Sequence, residues 1–199
     1  MLVIIGVSFL AGVFWLFALR FVTLKSDNVH YHANFAVYID DARLALDNPL
    51  FYEEVQACGG DEAFNPKNRV HMHDFNSHLV HVHDAGATWG HFFANIGMTH
   101  GDSVFRTPAE TYVEDENTKI RFILNGEEVF STANVVIRSE DKLLISIGSA
   151  SDEVLQKQYQ QIEADAGEFN NKYDPAGCSG GKDFSIFERV KESIGVFNN

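Results

Sequence analysis

Three copies of His-x-His most narrow what this chain can become: His30/His32, His71/His73 and His81/His83. On a β-strand, side chains two residues apart stand on one face. Each pair therefore aims two imidazoles at a common point. Between the second and third pairs lies Asp74-Phe75-Asn76-Ser77-His78, with turn chemistry at Asn76-Ser77. A hairpin looping through Phe75-Asn76-Ser77 sets His71 opposite His81 and places His71, His73, His81 and His83 on one face. A register shifted by one residue would divide them between two faces. Seven of the nine histidines fall within residues 69–100, and none follows His100.

Clustered imidazoles suit zinc, copper, nickel and iron, and an all-nitrogen site favours copper over zinc by affinity order. The cluster contains no cysteine, which argues against a thiolate zinc knot. Asp74 and Asp84 each directly follow a His-x-His pair; they can complete a coordination sphere or orient a ring from behind it. The candidate ligands are thus His71, His73, His81 and His83, then His30 and His32, with Asp74, Asp84 and His91 around them. His91 lies in the first turn of a helix predicted from the Thr88 cap to Gly97, pointing either to the hairpin or to water. His78 and His100 read as solvated surface residues, and Met72 and Met98 as packing residues. The competing explanation is a patch of titrating histidines acting as a pH-sensitive surface.

Residues 1–24 read MLVIIGVSFLAGVFWLFALRFVTL, with no charge before Arg20. About 20 apolar residues are needed to cross a bilayer as a helix, so a membrane anchor is expected here. A buried helix of a soluble domain and a cleaved secretory peptide fit less well, the second because no basic region precedes and no small-residue cleavage site follows. Arg20 and Lys25 can reach one interface with their charged ends. Those charges would place the domain in the cytoplasm by the positive-inside rule, whereas histidine-rich metal capture and a possible disulfide favour the outside. A leader removed before Met1 would reconcile the two. The opening is then similar to type IV pilins, whose mature chains begin directly with an apolar helix but carry glutamate where this chain has Ile5. A filament subunit that self-associates through this helix is the corresponding alternative.

The net charge of −13 argues against nucleic acid as a partner and against an electrostatic grip on anionic lipid. No P-loop, dinucleotide fingerprint, nucleophile elbow or H-E-x-x-H is present. A metal-dependent enzyme would need an open coordination position and a base such as Asp74, Asp84 or Glu54. Cys58 and Cys178 both sit in glycine-containing stretches. A bond between them would tie the C-terminal region to the histidine domain, worth at most about 4–5 kcal/mol in the chain-entropy model.

The remaining elements define an α+β fold: an N-terminal hydrophobic helix, a mixed β-sheet domain with one packed helix, and C-terminal helices. Strands are expected over 32–40 and 43–46, joined by a turn at Asp40-Asp41. Further strands are expected over 118–130 around the Asn125-Gly126 turn, over 135–137 and over 143–147. A helix is expected over 151–169, capped by Ser151, with Leu155, Tyr159, Ile162, Ala166 and Phe169 on its packing face. A last helix would follow Asp183, with Phe184, Phe187, Val190 and Ile194 on one side. The organisation expected is an apolar helix over 1–24, the histidine domain over 25–150 and a helical extension over 151–199.

The segments HYHANFAVYID, VHMHD, VHVHDAGATWGHFF and ILNGEEV with DKLLISIG resemble a poorly characterised group of membrane-anchored, histidine-rich proteins of uncultivated bacteria and archaea. That resemblance implies one compact anchored domain with clustered histidines and carries no reaction. The LNGEEV…DKLLISIG stretch also resembles the second half of a β-grasp domain. Together these readings lead to a membrane-anchored, extracytoplasmic domain that binds copper or zinc.

Overall fold

A computed structural model describes residues 2–23, 29–53, 66–172, 186, 190, 191 and 193; of 2–11 and 23 it describes the backbone alone. Cys58, Cys178, Glu54, Lys25 and most of the expected last helix lie outside the described residues. The chain divides into two compact units, one spanning Val29–Gly180 and the other combining Met1–Asn28 with Gly181–Asn199.

The larger unit is built on a seven-stranded mixed sheet. Its strands are β1 (Tyr31–Ile39), β2 (Ala42–Arg43), β3 (Val70–His71), β4 (Leu79–Val82), β8 (Lys119–Leu124), β9 (Glu127–Val129) and β10 (Lys142–Gly148). The order is β3-β4-β1-β10-β8-β9, with β2 also paired to β1. β1 and β10 run parallel at the centre, with Phe35 beside Leu143 and Val37 beside Ile145. Seven consecutive residues of β1 are buried, because both faces of the sheet are covered. Ala33, Phe35 and Val37 face the larger core, which also holds Val70, Met72, Val80, Val82, Phe122 and Ile145. Ala36 and Tyr38 face a smaller one with Leu144, Leu155 and Ile162. The β8–β9 turn places Asn125 at φ 54° and Gly126 at φ 85°, the paired left-handed conformations a two-residue hairpin needs.

The larger core is closed by α2 (Trp89–Asn95), which buries Trp89, Phe92 and Phe93 completely. The Thr88 hydroxyl accepts the His91 amide at 3.2 Å, and the His91 ring accepts the Thr88 amide at 3.1 Å. This is a reciprocal capping box. Gly90 is packed so closely that a Cβ there would lie 2.4 Å from the Ala133 carbonyl oxygen. That carbonyl accepts the Gly90 amide, while Val135 O accepts that of Trp89. The segment expected as a strand over 135–137 is therefore a single bridge, Thr88 with Val136; its polar groups are used on the start of α2. The return strand expected over 43–46 is only Ala42–Arg43.

Two further features depart from expectation. Residues 99–113 form a small second sheet, β5 (Thr99–His100), β6 (Val104–Arg106) and β7 (Thr111–Val113). The helix expected over 151–169 is two helices, α3 (Asp152–Gln160), capped by Ser151, and α4 (Ala166–Asn170). The break follows from a strand side chain. Asn34, buried in β1, accepts the Ala166 amide at 3.0 Å and donates to the Asp165 carboxylate at 2.8 Å. Both helices pack onto the sheet, aided by Tyr38 to Gln161 and by a two-pronged Arg43–Glu163 ion pair.

In the other unit, α1 (Leu2–Thr23) is a 22-residue helix. Its side chains are described from Gly12 to Val22, and Phe14, Trp15, Leu16 and Val22 are exposed. Among the described residues, no helix is long and apolar enough to cross a membrane.

Candidate metal centre

Strand alternation and register bring six imidazoles to one face of three adjacent strands. Val70, Met72, Val80, Val82 and Ala33 turn into the larger core. Their neighbours His71, His73, His81, His83, His30 and His32 thus lie on the opposite face. The hairpin has the expected pairing, His71 with His81. On the other side of β4, His32 of β1 pairs with the same residue. Beyond the end of β4, His83 N–H donates to Arg69 O at 2.8 Å, so the ladder continues past the cluster.

His81 is the hub. Its ring centroid lies 4.3 Å from that of His73, 4.4 Å from those of His32 and His83, 4.6 Å from His30 and 5.3 Å from His71. Its Nδ1 is in close contact with Nε2 of His73. Three rings are oriented from behind by oxygen acceptors. His71 Nδ1 meets Lys67 O at 2.7 Å, His32 Nδ1 meets Asn170 Oδ1 at 3.0 Å, and His73 Nδ1 meets Asp74 Oδ2 at 2.8 Å. Each acceptor favours the tautomer with the ring proton on Nδ1, in which Nε2 is the nitrogen able to ligate. The Asn170 orientation is fixed independently, because Oδ1 also accepts the His32 amide at 2.7 Å and Nδ2 donates to Ser139. Both ring nitrogens of His83 are buried with no hydrogen-bond partner. That is a costly arrangement in a dry site and one that a bound ion would relieve.

Two sets of three imidazoles offer nitrogens within 4.8 Å of one another: His30, His32 and His81, and His71, His81 and His83. An ion held at about 2.0–2.1 Å by each nitrogen would draw them closer together. Electrostatics favour the ligating form. Burial first, then the neighbouring rings of His71, His30, His73 and His32, push His83 down to about 3. Burial and the rings of His83, His32, His73 and His71 push His81 further down. Both central rings therefore stay neutral between pH 5 and 8, each with one N–H and one lone pair, which disfavours them as a physiological pH sensor and keeps a nitrogen available to a metal.

Not every residue singled out from sequence joins the cluster. His91 is committed to capping α2 and belongs to neither convergent set. Asp84 pairs with Arg69 at 2.6 Å and accepts the Gly86 amide at 2.7 Å; these contacts hold its carboxyl below the usual range and leave it outside the cluster. Asp74 supports His73 from the solvent side. His100 is buried, against the surface reading. It packs on Phe93 and Phe122 and hydrogen-bonds Thr132 at 3.0 Å, and burial lowers it to about 4. His78 pairs with Asp165 at 3.0 Å. Sequence reasoning missed Asn170 and the Lys67 carbonyl. The first lies 138 residues from His32 and the second is backbone, so neither leaves a local pattern. A cavity of about 410 Å³ opens beside the cluster, lined by His73, His81, Ser77, His78 and Phe169.

Comparison with protein-family models, curated proteins and solved structures finds no match to this chain. Fold and site together define an α+β protein whose buried histidine clusters can hold a metal ion.

Proposed function

We propose that this chain is a membrane-anchored, extracytoplasmic protein that binds a transition metal, copper or zinc, for capture or delivery. The observation that carries the reading is the convergence of six imidazoles on one sheet face, in two sets of three whose nitrogens lie within 4.8 Å of one another. Nitrogen-only donor sets suit both metals, and affinity order favours copper. The anchor is argued from the sequence of α1. Residues 1–24 carry no charge before Arg20, and about 20 apolar residues are what a bilayer-crossing helix needs.

Elemental analysis of the full chain in detergent, after metal loading and gel filtration, tests the metal reading. Stoichiometric copper or zinc is expected in the wild type, with none in His71→Ala/His81→Ala. A metal-free wild type would refute it. The cavity beside His73 and His81 favours a second reading, a metal-dependent enzyme, because it gives a small molecule a route to the ion.

A further inference from the structure

We infer that the cluster is a two-ion centre whose ions share the ring of His81. The inference rests on the metal-binding reading and deepens it. The sequence alone pointed to one ion held within the hairpin by His71, His73, His81 and His83. The sheet order changes that. β4 lies between β3 and β1, so His71 and His32 meet His81 from opposite flanks. Their backbones are two strand spacings apart, about 9–10 Å. The convergent sets divide in the same way: His71 and His83 with His81 in one, His30 and His32 with His81 in the other.

A single imidazole has two nitrogens whose lone pairs diverge, so it can bind one ion on each side. Nδ1 of His81 faces His73, which continues from β3. Nε2 of the same ring diverges from that direction, and His30 and His32 stand on the other flank with centroids 4.6 and 4.4 Å away. Bridging requires His81 to lose its one ring proton to bulk buffer when the second ion binds. The ring is then an imidazolate, its negative charge neutralised by the two cations. Each ion has three protein nitrogens. His73 is within reach of the β3-side ion, and the remaining positions are open to water.

The test uses the full chain in detergent, loaded with copper(II) and freed of excess by gel filtration. Copper per chain is counted by elemental analysis and compared with the spin integrated from low-temperature electron paramagnetic resonance. Two coppers per chain are expected, with integrated spin well below the copper count because bridged ions couple antiferromagnetically. His30→Ala/His32→Ala and His71→Ala/His83→Ala should each retain one copper with full spin intensity, their folding checked by circular dichroism. One copper in the wild type would overturn the two-ion inference and leave the metal reading standing. No copper would sink that reading itself. Two coppers with full spin intensity, or loss of both ions from either double variant, would overturn the shared ring.

Discussion

The buried imidazoles make the metal-free protein acid-sensitive in a calculable way. His83 falls from its ordinary 6.5 to about 3 on folding. Between those values the unfolded chain binds a proton that the folded chain does not, so stability rises with pH and is lost as pH falls. Above pH 6.5 the contribution is fully present; it declines down to about pH 3. The slope is about 1.4 kcal/mol per pH unit for one ring, and the loss from pH 7 to pH 5 is about 2 kcal/mol. His81, shifted lower, loses the same amount over that interval. His100, lowered to about 4 by burial alone, adds nearly as much. Three rings thus account for about 6 kcal/mol, comparable to the whole stability of an ordinary domain. Urea unfolding in the presence of chelator, followed by tryptophan fluorescence at pH 7, 6 and 5, measures it. His100→Phe, which has no titrating group, should recover about a third of the loss, since its share is independent of the cluster. Equal unfolding free energies at pH 7 and pH 5 in the wild type would refute the reasoning, because they would mean the rings are hydrated and protonate freely in the fold.

Other consequences are as direct. Asn170→Ala removes the acceptor that orients His32, and copper affinity measured by chelator competition should fall about 10-fold or more; unchanged affinity would remove Asn170 from the site. Azide added to copper-loaded protein should bind through the cavity beside His73 and His81 and produce a new charge-transfer absorption. Ser77→Trp, which fills that cavity, should suppress the new band without changing the copper content; an undiminished band would show that the ion is reached another way.

The parts legible in the sequence are those decided within a few residues. The hairpin register follows from alternation and a short loop, so His71 opposite His81 could be written down in advance. The α2 cap and the Asn125-Gly126 turn are equally local. What failed was long-range or competitive. The first turn of the helix expected after Thr88 lets His91 point to the hairpin or to water, yet its ring satisfies the Thr88 amide, a use that spacing cannot rank against ligation. His100 precedes Gly101-Asp102 and reads as surface, but β5 is two residues long and its burial comes from Phe93 and Phe122. The break between α3 and α4 depends on Asn34, more than a hundred residues upstream. The pairing of His32 with His81 is of the same kind, and it turns a hairpin site into a three-strand one.

That third strand alters the energetic argument for a ligand. A hairpin alone would leave its imidazoles at a sheet edge, hydrated and inexpensive. Pairing with β1 and cover from α4, whose Phe169 ring lies 5.8 Å from that of His32, bury much of the face. A buried polar atom without a partner costs about 1–3 kcal/mol, so the two His83 nitrogens alone cost several kcal/mol in the metal-free fold. Valine or leucine at position 83 would avoid that cost and add apolar burial, so stability alone does not account for histidine there. An ion present at a thousandfold excess over its dissociation constant stabilises the folded state by about 4 kcal/mol, a magnitude that offsets the desolvated rings. Copper or zinc should therefore raise the unfolding midpoint of the wild type far more than that of His71→Ala/His81→Ala, which keeps the fold's covering elements but lacks the converging nitrogens.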